Sequence, residues 1–330
     1  MELIPDRRLR ALRTALRFWF DAGAAGSAPP AGLEPSRRID WLRVAPFVAL
    51  HLTCLAAFWT GTSSVAIAIA AALYALRMFA ITAFYHRYCS HRAFAVSRTV
   101  QFLFALLAAS AGQRGPLWWA SHHRHHHLHA DRPGDAHSAH LDGFLWSHVG
   151  WFMARENFAA RRELVADLAR YPELRFLDRF DVLVPLGLAA LLYAVGELLA
   201  VHAPDLSVTG PQLLVWGFCI STVALCHATF TINSLAHRFG TRRYATTDNS
   251  RNNLWLALLT LGEGWHNNHH HFPGSARQGF RWYELDFTYY LLRILAHLRL
   301  VSNLRDVPAT VLDARPARPA GPSRPSKEAA

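Results

Sequence analysis

Residues 65–91 read VAIAIAAALYALRMFAITAFYHRYCSH. The first twenty-one are apolar apart from one charge, Arg77, and the run then delivers two histidines, His86 and His91. A bilayer crossing takes about 20 apolar residues, so this stretch reads as a membrane span with histidines at one end. Three further runs have near-membrane length, 44–60, 182–201 and 213–232, and the third span of the chain carries one charge, Glu197. Two apolar runs, 99–112 and 254–262, are too short to cross and read as re-entrant or interfacial helices. The expected fold is all-α and integral to the membrane: four transmembrane helices with a cytoplasmic helical cap that holds a histidine-rich dimetal site.

Composition points the same way. Residues AVILMFWYC make up 52% of the 330 and DEKR only 17%, below the roughly 25% charged of a soluble domain. The formal charge is +11, carried by arginine with a single lysine, Lys327. Four cysteines with no C-x-x-C pair exclude a disulfide framework or a zinc ribbon. The first 45 residues hold eight arginines and 155–179 hold six, whereas the loops after the first and third spans hold none. The positive-inside rule therefore places both termini in the cytoplasm, and every histidine window with them. Residues 1–43 read as a basic amphipathic helix, with Leu9, Leu12, Leu16 and Trp19 on one face, followed by a linker over 23–35. Residues 44–306 form the membrane domain, and 307–330 a disordered Pro/Ala/Arg tail.

Histidine is the outlier, with twelve of its twenty copies in three windows, 86–91, 122–129 and 266–271. His86 and His91 are five apart, about 140° on an ideal helix, so they share no face; they converge if the helix ends there, or bracket two metals on one flank. The other two windows each contain H-x-x-H-H: His123, His126 and His127, then His266, His269 and His270. Positions i, i+3 and i+4 lie on one helix face, which makes each box a metal half-site. His237 ends the fourth span one turn after Asn233 and joins the set. Nine imidazoles exceed the needs of one ion and imply two, and imidazole suits Fe, Zn, Cu or Ni. The remaining window histidines, His122, His125, His129 and His271, read as outer or solvent-facing. Ligating imidazoles hold their second N–H on a carboxylate or carbonyl, and Asp131, Asp135 and Glu263 are near enough in sequence to serve. No G-x-S-x-G elbow, H-E-x-x-H motif or Gly-rich phosphate loop is present. Nothing in the chain suits nucleic acid.

These motifs resemble the membrane fatty acid desaturases, and closely the stearoyl-CoA (acyl-CoA Δ9) branch. The resemblance rests on the order of the three boxes, on NSLAH at 233–237, and on SHVGW at 147–151, SRNN at 250–253 and GEGWHNNHHHFP at 262–273. It covers about residues 44–301 and points to a bacterial inner-membrane member. It implies a diiron site (Fe2+/Fe3+) ligated by the nine histidines, with Asn233 holding a metal-bound water. It implies that dioxygen and two electrons convert a saturated long-chain acyl-CoA, or another acyl carrier, to a cis-monounsaturated product. A related diiron hydroxylase of fatty acyl or alkane substrates is the alternative. By residue match Gln113 and Phe230 line the acyl tunnel, and Arg155 and Arg251 contact the substrate. Ser121 and His122 stand where animal members carry an Arg-Asp pair, and Glu156 stands for a lysine. No His-Pro-Gly-Gly haem motif is present, so electrons are expected from a separate ferredoxin or b-type cytochrome drawn to the arginine-rich face.

Overall fold

The computed structural model describes residues 7–25 and 37–314. Most of the sequence-defined linker and the last part of the tail, 315–330, lie outside the described residues; within the tail, Ala309–Leu312 form a helical turn. Four helices are long and apolar enough to cross a membrane: Trp41–Thr60, Ser64–Ser90, Leu183–His202 and Gly210–Ser234. Three of the four, the first, second and fourth, start at a side-chain cap. Asp40 accepts from the Arg43 N–H, Ser63 from that of Ala66, and Thr209 from that of Gln212, satisfying donors that a helix start leaves unpaired.

The four spans run up and down, so the start of the first, the end of the second, the start of the third and the end of the fourth share one end of the bundle. Within the apolar window of the first span only 11% is buried, against 61% for the fourth. The fourth is thus the central post and the first a peripheral one, with Phe58 and Trp59 left bare at its far end as lipid-facing helices leave them. The charges deep in the second and third spans, Arg77 and Glu197, are both satisfied. Arg77 donates to Thr222 Oγ1 at 2.7 Å, to the Ser110 carbonyl at 3.2 Å and to Ser221, and Glu197 accepts from the Gly210 N–H. Paired in this way, they cost far less than bare charges in hydrocarbon.

The short runs form the cap. Arg98–Ala109 packs beneath the second span, where Phe104 stacks on Phe84 at 3.6 Å and Tyr88 donates to Gln101. The helix Pro116–His129 carries the second histidine box, and His266–His271, which follows the short apolar helix Leu254–Leu259, carries the third. A two-residue ribbon pairs Ala95–Val96 with Val301–Ser302 and ties the end of the cap back to its beginning.

The second box is positioned by a close approach. Gly115 precedes Pro116, and a Cβ there would stand 2.3 Å from Asp178 Cα. Asp178 in turn accepts from the Trp118 N–H at 2.7 Å. Gly115→Ala is expected to destabilise the protein by about 1–3 kcal/mol through overpacking and to lower metal retention, because the helix would have to slide with its histidines. Thermal unfolding in detergent checks this; an unchanged melting temperature would show that the start of this helix can move freely.

Candidate metal centre

The second span does not end as an α-helix. Its last ten residues, Ile81–Ser90, form a π-helix, in which each N–H reaches the carbonyl five residues back. The His91 N–H donates to the His86 carbonyl at 3.3 Å. A five-residue gap that splits two side chains on an α-helix stacks them here, and the two rings lie 5.0 Å apart.

Nine histidines then converge in two groups. His86, His91, His123, His127 and His269 form one, and His126, His237, His266 and His270 the other; in each, the candidate ligand atoms all lie within 4.8 Å of one another. The two H-x-x-H-H boxes are used reciprocally, not as separate half-sites. The second box gives its i, i+4 pair, His123 and His127, to the first group and His126 to the other. The third box gives its i, i+4 pair, His266 and His270, to the second group and His269 to the first. Each short helix therefore lies between the two groups.

The contacts within the first group are not those of hydrogen-bonded imidazoles. Nε2 atoms follow one another from His91 to His123 (2.8 Å), to His127 (3.0 Å), to His269 (3.0 Å) and to His86 (3.1 Å). A ring nitrogen offers either one proton or one lone pair, so the inner members cannot each satisfy two neighbours. Lone pairs aimed at one cation do satisfy all five, since ligands about 2.1 Å from an ion and at right angles lie about 3 Å apart. In the second group, His237 and His266 Nε2 are 3.1 Å apart, and the buried His270 Nε2 has no hydrogen-bond partner among the described residues. The donor set fits two cations that accept imidazole.

The second nitrogens of these rings are held by carboxylates. His126 Nδ1 donates to Asp135 at 3.0 Å, His237 Nδ1 to Asp131 at 2.9 Å and His270 Nδ1 to Asp248 at 2.9 Å. His86 Nδ1 contacts Glu263, whose other oxygen accepts from Arg87 at 3.0 Å. Asp131, Asp135 and Glu263 were candidates from the sequence; Asp248 was not, because it lies 22 residues from its histidine. Its signal was local: Asp248 Oδ1 accepts from the Ser250 N–H at 2.8 Å, an Asx-turn that TTDNS at 246–250 could have suggested.

Electrostatics follow burial. His91, His123, His127, His266 and His269 are held well below the ordinary histidine range by burial and by one another, and His270 is lowered to about 4 by burial. They are neutral at pH 7, the form that binds metal. For Asp131 and Asp248, burial alone would raise the carboxyl, but the hydrogen bonds from His237 and His270 hold both below the usual carboxylate range.

A cavity of about 360 Å³ reaches this centre. His123, Trp119 and Asn233 are among its lining residues, and Trp119 stacks on His123. Gln113 and Phe230 both line it. Gln113 donates to Thr229 Oγ1 at 2.7 Å, and Phe230 packs on Phe152. Arg155 and Arg251 do not line it. Arg155 is exposed and pairs with Asp40 at 3.3 Å, while Arg251 donates to the Gly240 carbonyl. Of the outer histidines, His122 reaches the Ala159 carbonyl, His129 that of His125, and His271 stacks on Tyr244. His137, unmarked by the sequence, packs on His126 and lines the cavity.

Residues 62–301 match the family model described as fatty acid desaturase. The chain is 41% identical over 228 residues to a chloroplastic relative of Arabidopsis thaliana named as a lipid desaturase, and spans 59% of that protein's length. It is 36% identical over 291 residues to an acyl-CoA 5-desaturase of Anemone leveillei, covering 84% of this chain and 86% of the relative. To an sn-1 stearoyl-lipid 9-desaturase of Anabaena variabilis it is 35% identical over 271 residues, covering 81% and 94%.

Proposed function

This chain belongs to the fatty acid desaturase family, and from that premise we propose that it inserts a cis double bond at position 9 of a saturated long-chain acyl group carried on coenzyme A or another acyl carrier. It is an oxygen-dependent oxidoreductase, and its four apolar helices make it a membrane protein. The observation that carries the reading is the meeting of two histidine groups with one apolar cavity.

The reaction balances as one dioxygen, two electrons and two protons consumed with two acyl hydrogens, giving one alkene and two waters. Iron held by the nine histidines would supply the redox chemistry that activates dioxygen. The chain does the rest. Neutral imidazoles present lone pairs, and Asp131, Asp135, Asp248 and Glu263 fix the ring orientations that aim them. Asn233, which lines the cavity, would hold a water beside the centre. The cavity walls, with Gln113 and Phe230, select which methylene stands nearest the histidines, which is positional control. Its apolar surface excludes water from the reacting chain. The arginine asymmetry of the loops supports a centre on the cytoplasmic side, and the membrane we assign is the bacterial inner membrane. A separate ferredoxin or b-type cytochrome would dock on the arginine-rich stretch 155–179, at the same end as the histidines.

Expression in cells of defined fatty acid profile, with total lipids analysed by mass spectrometry and double bonds located by derivatisation, tests the proposal. One new monoene at position 9 is expected. A hydroxylated chain would shift the assignment to a diiron hydroxylase. An unchanged profile, with iron bound and a donor co-expressed, would overturn the acyl substrate.

A further inference from the structure

Arg43 stands at the start of the first span with its side chain in the wall of the cavity. Its guanidinium carbon lies 4.0 Å from the ring centroid of Phe18, on the N-terminal helix Arg7–Phe20, and 4.0 Å from that of Phe158. Two aromatic faces thus hold the cation by its flat sides and leave its edge for hydrogen bonding. Nη2 on that edge is buried and has no partner among the described residues. The neighbouring carboxylates are engaged elsewhere: Asp40 accepts from Arg155 at 3.3 Å, and Asp181 from Arg114 at 2.7 Å. A buried charged donor without an acceptor is costly. An anion entering the cavity would remove that cost.

The cavity also shows where such an anion comes from. Phe47 and Leu50 of the first span, Pro185 and Leu186 of the third, and Phe218 and Thr222 of the fourth all line it. The first and third both rest on the fourth, and the first is the least buried of the four. An acyl chain already in the bilayer can slide between them with its headgroup left at the Arg43 end.

We propose that Arg43 holds the phosphate of the acyl carrier at the cavity mouth, and that this carrier is a glycerophospholipid. Its singly charged phosphodiester matches one unpartnered guanidinium, whereas the several phosphates of coenzyme A would need more. The inference rests on the reading that an acyl chain fills the cavity, and it places the specificity in Arg43, not in the exposed Arg155.

The test measures binding without turnover. Purified wild type, Arg43→Gln, Arg43→Lys and Phe158→Leu are titrated with stearoyl phosphatidylglycerol, stearoyl monogalactosyldiacylglycerol and stearoyl-CoA, with binding read by native mass spectrometry. Arg43→Gln is expected to bind phosphatidylglycerol about tenfold or more weakly, as loss of a charged hydrogen bond implies, with the uncharged galactolipid unchanged. Arg43→Lys should fall between, and Phe158→Leu should weaken the phosphate ligand while keeping the charge. Should Arg43→Gln fail to fold, as judged by melting temperature and iron content, the other two variants decide. Equal losses for the galactolipid, or no loss for any ligand, overturn the phosphate site. A loss confined to stearoyl-CoA overturns the phospholipid assignment. A wild type that binds lipid but forms no alkene overturns the desaturase reading alone.

Discussion

Replacing His269 with alanine is expected to abolish detectable alkene formation while the protein remains in the membrane. His269 comes from the third box, yet its Nε2 lies 3.1 Å from that of His86 and 3.0 Å from that of His127. It bridges the first two windows in the five-histidine group, beside the direct His91–His123 contact. Loss of a residue that only supports a ligand costs about 10- to 100-fold in metal affinity or activity, and removal of a ligand at this junction should cost more than 100-fold. Iron content by elemental analysis should fall with it, because the four remaining histidines would close around a gap left by the ring. His271→Gln is the matched control. That ring stacks on Tyr244 at 4.1 Å and belongs to neither group, so iron content should stay at the wild-type value. Retained desaturation in His269→Ala would remove this residue, and the grouping built on it, from the centre.

The spans were legible because burial in lipid is a sum over about twenty side chains, and such a sum survives any detail of packing. The ends were less so. The apolar run suggests that the second span stops at 85, whereas the helix continues to Ser90 as a π-helix. No residue type marks a π-turn, so sequence alone leaves His86 and His91 on different sides of an α-helix. The boxes themselves were legible as metal-binding spacing. Their reciprocal use was not, since whether His126 joins the same group as His123 depends on where the facing helix His266–His271 lies. Asp248 was hidden for a similar reason: its partner His270 is close only after the 246–253 loop folds back, where Asn252 and Asn268 join at 2.7 Å. Arg155 shows the opposite limit. A matched position in a motif gave it a substrate contact, but its environment is solvent and Asp40, while the buried guanidinium at the cavity belongs to Arg43, which no motif contains.

Asp131→Asn is expected to weaken metal binding by about 10- to 100-fold. This carboxylate joins three distant segments. It accepts from His237 Nδ1 at 2.9 Å, from the Asn249 N–H at 2.7 Å and from Ser138 Oγ at 2.7 Å. The amide keeps the shape, but it removes the charge that aligns His237 and leaves one donor facing donors. The acid dependence gives the assignment its sign. Asp131 is held below the ordinary carboxylate range in the folded protein: burial, the largest single effect, raises it, but the hydrogen bond and charge of His237 together with the hydrogen bonds from Ser138 and Asn249 outweigh burial. Its contribution is therefore fully present above the unfolded value of about 3.9 and is lost only as pH falls below it. The stability difference between wild type and Asp131→Asn, measured on metal-free protein in detergent, should hold constant from pH 7 to pH 5 and narrow only below about pH 4. A difference that closed between pH 7 and pH 5 would mean that the carboxylate is not kept ionised by His237. A variant that binds iron as tightly as wild type would mean that His237 needs no carboxylate to face the second ion.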